Sequence, residues 1–217
     1  MDSIATSYPA TKNYIAGQFI EDDYKKMDVI SPIDGSVISQ VPLSSKKAVD
    51  DAVQAAKKAF PNWSSYTLKE RVQVFFRFRS LLEKHIKELT QLVHIENGKT
   101  LLEAEAEVLK GIELCEFACS LPQIISDEIQ EVSKGVECRT SHVPLGIVAC
   151  ITPFKFPFMV PLWTAPNAIA LGNCMIIKPS ELVPLSVQRI AELLKEAGLP
   201  DGVFNIVNGD KEIVEAL

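Results

Sequence analysis

Three charged residues in apolar surroundings are the strongest candidates for chemistry in this sequence. Lys178 and Glu181 follow an apolar run and stand three residues apart. A lysine there can donate to the hydroxyls of a ribose, and a carboxylate can accept from them. On spacing alone, however, a solvated loop is the simpler interpretation. Lys155 lies between two phenylalanines, where a cation–π contact, a phosphate contact or simple extension into water all fit, the last being the commonest.

The cysteines and histidines give no pattern for other catalytic chemistry. The sequence has five cysteines, an odd number, and none forms a CxxC pair. Its three histidines lack partners at the spacing of a metal site or a catalytic triad. The sequence therefore predicts reduced thiols, a cytoplasmic location and no metal site. No GxGxxG motif is present, so the usual dinucleotide fingerprint does not apply.

Charge and hydropathy argue against two classes of partner. The net charge is -6 and no basic cluster lies in the strand or turn regions, which disfavours a nucleic-acid partner. Met1–Tyr14 lacks the basic and apolar regions of a secretory signal. The apolar stretch 146–177 is long enough for a membrane span, but Lys155 and four prolines within it predict that it does not enter a membrane.

One strand–helix–strand unit is expected to position the charged residues. We predict strands at Gly146–Ile151 and Cys174–Ile177, both buried on two faces and joined by an apolar helix. Because ligands of open α/β sheets bind beyond the carboxyl ends of the strands, Pro153–Lys155 and Lys178–Glu181 should lie at one site. A third strand at Val203–Val207 extends the pattern to a doubly wound sheet.

The first 120 residues predict a helical layer beside a small antiparallel strand unit. Capping boxes at Thr67–Glu70 and Thr100–Glu103 are expected to start two helices. Gly98 is expected to end the helix before it. Pro61 and Pro122 are expected to stop the helices that precede them.

Eight segments along the chain form a series that is recognisable as a whole. They are YIAGQFI (14–20), VISPIDGSVISQVP (29–42), IENGKT (95–100), VPLGIVACITPF (143–154), FPFMVPLW (156–163), AIALGN (168–173), IIKPSE (176–181) and EAGLPDGVFNIVNG (196–209). Together they resemble the aldehyde dehydrogenase superfamily, most closely its CoA-acylating malonate/methylmalonate-semialdehyde dehydrogenases. The resemblance extends from Tyr14 to the end of the chain.

The resemblance implies a fold and a division of the chain. The fold is α/β, with the Rossmann-like doubly wound parallel sheet of the aldehyde dehydrogenase coenzyme domain, truncated, and an N-terminal helical layer. Residues 1–122 correspond to the N-terminal part of the coenzyme-binding domain, 123–144 to the start of the oligomerisation strands, and 145–217 to an incomplete Rossmann-like segment. The strands imply a homo-oligomer, although an ordinary surface hairpin fits the same residues equally well.

The resemblance also implies ligands. NAD is the implied cofactor, a small aldehyde the substrate and CoA a co-substrate of the full-length family. By match to the family's motifs, Thr152, Pro153 and Phe154 line the cofactor cleft, and Lys178 and Glu181 contact the adenosine ribose.

Two departures from the family's pattern bear on activity. Lys155 occupies the position of an asparagine whose amide helps to hold the oxyanion, a donor that contributes roughly 3–4 kcal/mol in such sites. The sequence ends before the motifs of the nucleophilic cysteine and the glutamate base, so we expect no dehydrogenase activity from this chain alone. A truncated, non-catalytic module that binds a nucleotide or a partner is the main alternative, and a plain α/β scaffold is a third.

Overall fold

Short strands alternate with long helices in the computed structural model, which describes residues 7–21 and 23–217. Part of Met1–Tyr14, where we predict no secretory signal, lies outside those residues. The strands are β1 (Asn13–Ile15), β2 (Gln18–Ile20), β3 (Lys26–Ile30), β4 (Val37–Pro42), β5 (Glu128–Ser133), β6 (Val136–Thr140), β7 (Ile147–Ile151), β8 (Cys174–Lys178) and β9 (Phe204–Ile206). The helices are α1 (Lys46–Ser65), α2 (Leu68–Lys84), α3 (Ile86–Asn97), α4 (Leu101–Ile124), α5 (Met159–Ala170), α6 (Leu185–Glu196) and α7 (Lys211–Ala216).

The main sheet has five strands in the order β2-β1-β9-β8-β7. Strands β7, β8 and β9 are parallel, and β1 joins β9 antiparallel. Ile151 pairs with Lys178, so the carboxyl ends of β7 and β8 are level. The predicted α/β fold with parallel strands and crossover helices is confirmed.

The burial predicted for the first strand is wrong. Every residue of β8 is buried, as expected for a strand with neighbours on both sides. In β7 each residue is half-buried or exposed. Because β7 is the outermost strand of the described sheet, its open edge is accessible, which the apolar sequence of Ile147–Ile151 does not reveal.

Helices cover both faces of the sheet. On one face α1 packs through Ala48 and Ala52 against Ile176 and Val207. On the other face α5 and α6 pack on β8 and β9, and α2 and α4 pack behind them. Helices α1 and α7 thus cover one face of the sheet, and the thicker layer formed by α2, α4, α5 and α6 covers the other.

Two prolines lie inside helices that they were expected to end. Helix α1 continues past Pro61 to Ser65, and α4 continues past Pro122 to Ile124. Beyond Pro61, the Trp63 side chain is buried and its Nε1 donates to the Ile169 carbonyl at 2.9 Å. The large apolar area and hydrogen bond of this indole offset the backbone bond that the proline removes.

The other helix boundaries follow the local sequence. Thr67 with Glu70 and Thr100 with Glu103 form the two predicted capping boxes, in which side chain and backbone satisfy each other. Gly98 follows α3 with a φ of 76°, the left-handed conformation that favours glycine at this position. These three predictions are confirmed.

Strands β5 and β6, which follow α4 and precede β7 in the chain, form an exposed antiparallel hairpin. Ile129, Val132 and Val136 are each more than half exposed on it. Among the residues that the structure describes, no helix is long and apolar enough to cross a membrane.

Candidate functional site

Lys178 and Glu181 form an ion pair at the carboxyl end of the central strand. Lys178 Nζ lies 2.6 Å from Glu181 Oε2. The lysine side chain is 5% exposed and the glutamate side chain 32% exposed, so the carboxylate faces solvent beside a buried ammonium. Burial raises the pKa of Glu181, but the hydrogen bonds from Lys178 and the backbone outweigh it and lower the pKa overall. The pair therefore presents a charged donor and a charged acceptor side by side.

Thr152, Pro153 and Phe154 continue from the neighbouring strand. The Thr152 amide donates to the Lys178 carbonyl at 3.1 Å, which extends the β7–β8 ladder by one bond and brings the two strand ends together. Thr152 is buried, whereas Pro153 and Phe154 are exposed. The structure therefore places all five predicted cofactor-site residues at the ends of two adjacent strands.

Lys155 is exposed at the end of this turn. Its Nζ lies 5.3 Å from the centroid of the Phe156 ring, and Lys99 Nζ lies 4.4 Å from the same centroid. Lys99 is also paired with the buried carboxylate of Glu107. Two of the expectations for Lys155 are therefore met: the residue is exposed to water, and it makes a cation–π contact to the adjacent ring.

A cleft of about 1130 Å³ opens beside the Phe154–Phe156 turn. The turn, the start of α5, one side of α4 and strand β3 enclose it. Its lining is mainly apolar, with Lys99, Lys110 and Lys155 as its cations. A cavity of this size and character suits a small organic molecule with an apolar body.

Two buried glutamates near the site were missed from the sequence. Glu107 Oε1 accepts from the amides of Phe158 at 2.9 Å and Met159 at 3.1 Å, at the start of α5. Glu96 accepts from the amides of Leu185 and Ser186, each at 2.9 Å, at the start of α6. Both were detectable in principle, because each interrupts the buried apolar stripe of its helix with a charge.

Glu96 is also the most perturbed carboxyl group near the site. It is 1% exposed, and burial raises its pKa to about 7 against the hydrogen bonds from Ser186 and Leu185. The carboxylate of Glu107 adds to this rise. Glu96 is therefore partly protonated near neutral pH.

Asn97 is a third residue that the sequence did not single out. Its Nδ2 donates to the Phe154 carbonyl at 2.9 Å. Two adjacent residues at the end of α3 thus contact the segments that follow two neighbouring strands. Asn97 bonds to the turn after β7, and Glu96 bonds to the start of α6, the helix that follows β8.

The cysteines in the strands of the site are not activated. Burial raises the pKa of Cys150 in β7, and it raises the pKa of Cys174 in β8 to about 11. Both thiols are protonated at neutral pH and so are poor nucleophiles. Within residues 7–21 and 23–217, no cluster of three or more His, Cys, Asp or Glu side chains is arranged to hold a metal ion.

A mixed sheet whose three central-to-edge strands are parallel and joined by crossover helices defines an α/β protein, and comparison with known proteins gives its family. Residues 19–217 match the aldehyde dehydrogenase family. The chain belongs to the aldehyde dehydrogenase family.

Curated relatives make the match more specific. Malonate-semialdehyde dehydrogenase 2 of Bacillus mycoides is 47% identical over 208 residues, which are 95% of this chain and 43% of the relative. Malonate-semialdehyde dehydrogenase 2 of Geobacillus kaustophilus is 44% identical over 99% of this chain and 45% of its own length. The chain thus spans less than half the length of the relatives it matches, in their N-terminal part.

Solved structures agree in fold. Methylmalonate-semialdehyde dehydrogenase from Oceanimonas doudoroffii superposes with a TM-score of 0.93 at 44% identity, covering 96% of this chain and 43% of that protein. A putative methylmalonate-semialdehyde dehydrogenase from Sinorhizobium meliloti 1021, solved as a complex with NAD, gives a TM-score of 0.93 at 37% identity, covering 98% of this chain and 43% of that protein.

Proposed function

We propose that this chain is the NAD-binding half of an aldehyde dehydrogenase that oxidises a short semialdehyde and transfers the acyl group to CoA. The observation that carries the proposal is the Lys178–Glu181 pair at the carboxyl end of β8, beside the end of β7. The names of the relatives support malonate or methylmalonate semialdehyde as the substrate. CoA rests on the resemblance alone.

The residues of the site fit a nucleotide. Lys178 donates and Glu181 accepts, which matches the two hydroxyls of a ribose. Exposed Pro153 and Phe154 offer apolar surface next to that pair, and buried Thr152 fixes the turn. When bound, NAD would accept the hydride removed from the aldehyde. Support for NAD also comes from the relative solved with NAD bound.

The chain is proposed to need further protein for catalysis. None of the described cysteines in the site is activated as a nucleophile, and Lys155 holds the place of the family's oxyanion asparagine. We expect no NAD reduction with malonate semialdehyde and CoA by the pure chain above a mock preparation. Reduction above that background would contradict this part of the proposal.

The remaining parts of the proposal concern organisation. We assign residues 1–122 and 145–217 to the coenzyme-binding domain and 123–144 to the start of the oligomerisation strands. The exposed β5–β6 hairpin supports association into a homo-oligomer.

The cysteines at 115, 119, 138, 150 and 174 are unpaired, which supports a cytoplasmic location.

Isothermal titration of the chain with NAD, and separately with AMP, tests the nucleotide site. We expect both to bind and AMP to compete with NAD, because the ribose contacts are common to the two. A chain that binds neither at millimolar concentration would overturn the proposed function.

Lys155 favours a second candidate, a non-catalytic module that binds a nucleotide or a partner. The lysine side chain is longer than that of asparagine and carries a charge, so it is a poor substitute for the amide as an oxyanion donor. Fusing this chain to the remaining part of the Bacillus mycoides relative separates the two functions. Equal NAD reduction with Lys155 and with Lys155→Asn supports the enzyme, whereas activity restored only by Lys155→Asn supports the module.

A further inference from the structure

The crossover helix α6 begins without a side-chain cap of its own. Its N-cap residue is Pro184, which has no side-chain acceptor, and the first amides of the helix point to Glu96 instead. Glu96 lies 89 residues earlier in the chain, at the end of α3, and the Ser186 hydroxyl also donates to it. The carboxyl oxygens of Glu96 thus supply acceptors for helix amides that have no partner within the helix.

The loop that carries Glu181 is held at both of its ends. At the strand end, the Lys178 carbonyl accepts from Thr152, and the Ile177 carbonyl accepts from the Val207 amide at 3.0 Å. At the helix end, Glu96 fixes Leu185 and Ser186.

Within the loop the chain has little freedom. The Ser180 carbonyl accepts from the Val183 amide at 3.1 Å, and its hydroxyl accepts from the Leu182 amide at 3.3 Å. Glu181 therefore sits in a tight turn between a fixed strand and a fixed helix.

We propose that Glu96 is a positioning residue for the nucleotide site: by holding the start of α6, it keeps the Glu181 carboxylate beside Lys178. The inference rests on the proposed function for its ligand, although the contacts of Glu96 do not depend on it. Without Glu96 the amides of Leu185 and Ser186 lose their acceptor, and the turn at Ser180–Val183 is free to move away from β8. Nucleotide binding then has to order the loop first, which weakens affinity.

The variants Glu96→Ala and Glu96→Gln test this role, with Glu70→Ala as the matched control. Glu70 is also a carboxylate at a helix N-terminus, but it caps the exposed start of α2 through Thr67. Glutamine keeps one acceptor oxygen at the same distance from the backbone. The AMP affinity of Glu96→Gln should therefore stay closer to that of wild type than the affinity of Glu96→Ala. Each variant is measured at a temperature where circular dichroism shows it to be fully folded.

Two measurements are made on each variant. In titration with AMP, we expect Glu96→Ala to bind about tenfold more weakly than wild type, and Glu96→Gln and Glu70→Ala to bind within about threefold of it. In hydrogen exchange, we expect faster exchange in residues 179–187 for Glu96→Ala but not for Glu70→Ala. A purely stabilising role for Glu96 would leave the AMP affinity of the folded variant unchanged.

The outcomes separate this inference from the proposed function. Wild-type AMP affinity in a folded Glu96→Ala variant overturns the positioning role. If wild type itself binds no AMP, the proposed function fails, and hydrogen exchange alone decides: unchanged exchange at 179–187 overturns the positioning role. If alanine prevents folding, the same criteria apply to Glu96→Gln against Glu96→Asp, where the shorter side chain should weaken AMP binding and loosen the loop.

Discussion

The ammonium of Lys178 lies 2.6 Å from Glu181 Oε2, although the lysine belongs to a buried strand and the glutamate to a loop. The lysine is 4% exposed, so most of its side chain is removed from water. Glu181 offsets that desolvation by pairing with it. The geometry leaves the solvent-facing side of the carboxylate available to a ligand.

The first prediction follows from this pair. Replacing Lys178 with alanine should weaken binding of AMP and NAD by about tenfold or more, because a charged donor to the ribose is lost. Isothermal titration measures the change. Lys57→Ala, which removes an exposed lysine on α1, is the control and should bind as wild type does. An affinity for AMP and NAD that the Lys178 substitution leaves unchanged would refute the assigned site.

A second prediction concerns Glu96 and pH. Its pKa rises from 4.5 to about 7 on folding, so the native state holds a proton that the unfolded state releases between these values. Stability should therefore decrease as pH rises from about 4.5 to 7, by about 3 kcal/mol from this group. The charged or titratable groups coupled to it are Glu107 on α4 and Tyr8, while Ser186 on α6 bonds to it.

Urea unfolding at several pH values measures this effect. In Glu96→Gln the same segment of the pH profile should be flatter, because glutamine does not titrate. Subtracting one profile from the other removes the contribution of all other groups. A difference profile without slope between pH 4.5 and 7 would contradict the prediction.

A third prediction concerns Arg71, a buried cation that the sequence did not single out. Its Nε donates to the Ala170 carbonyl at 2.7 Å, and one of its terminal nitrogens donates to the carbonyls of Ser64 and Tyr66. Arg71→Ala should lower the free energy of unfolding by about 3 kcal/mol, because the buried Ala170 carbonyl and the partly buried carbonyls of Ser64 and Tyr66 lose their donor. Urea titration of the variant checks this.

Arg79→Ala is the matched control for Arg71. Arg79 pairs with Glu83 and Glu116 at the surface, with a third or more of each side chain exposed. Such pairs contribute at most about 1 kcal/mol. Equal destabilisation by the two substitutions would show that burial of Arg71 is not what makes it important.

The fourth prediction reverses an ordinary rule of helix propensity. Alanine in place of a helical glycine usually stabilises a helix by about 1 kcal/mol. At Gly111 on α4, an added Cβ would lie 2.7 Å from Phe158 and 2.9 Å from Leu162, both fully buried. We expect Gly111→Ala to destabilise the chain by about 1–3 kcal/mol, because α4 and α5 must separate to admit the methyl group.

Thermal unfolding compared with Glu105→Ala tests the Gly111 prediction. Glu105 lies on the exposed side of α4, so its replacement should change stability by no more than about 0.5 kcal/mol. A Gly111→Ala variant that melts higher than wild type would disprove the close packing of α4 on α5.

Local signals in the sequence predicted much of this fold. The capping boxes at Thr67 and Thr100 are formed by neighbours in the chain, so their motifs are sufficient to predict them. The burial of Trp63 is different, since its partner is the carbonyl of Ile169, 106 residues away. This tertiary contact stabilises the part of α1 beyond Pro61, and the local sequence does not reveal it.

In the candidate site too, some residues were predicted from the sequence and others were found only in the structure. Lys178, Glu181 and Thr152–Phe154 were predicted from strand ends and from resemblance, and the structure brings them together, while their role in binding stays a prediction. Glu96 and Glu107 were not predicted, because each accepts hydrogen bonds from the start of a helix more than 50 residues later in the chain. Their isolated charges on apolar stripes indicated burial, but not which amides they would meet.

The order of these residues along the chain has a consequence for biosynthesis. Glu107 and Glu96 both precede the helices α5 and α6 that they cap. A ribosome releases the chain from its N-terminus, so α3 and α4 are complete before either crossover helix emerges. The first turn of a helix is its most costly step, and Glu107 and Glu96 supply acceptors for the first amides of α5 and α6. The acceptors for the first amides of α5 and α6 thus leave the ribosome before the amides that bond to them, and only β7, β8 and β9 of the main sheet follow the helical layer.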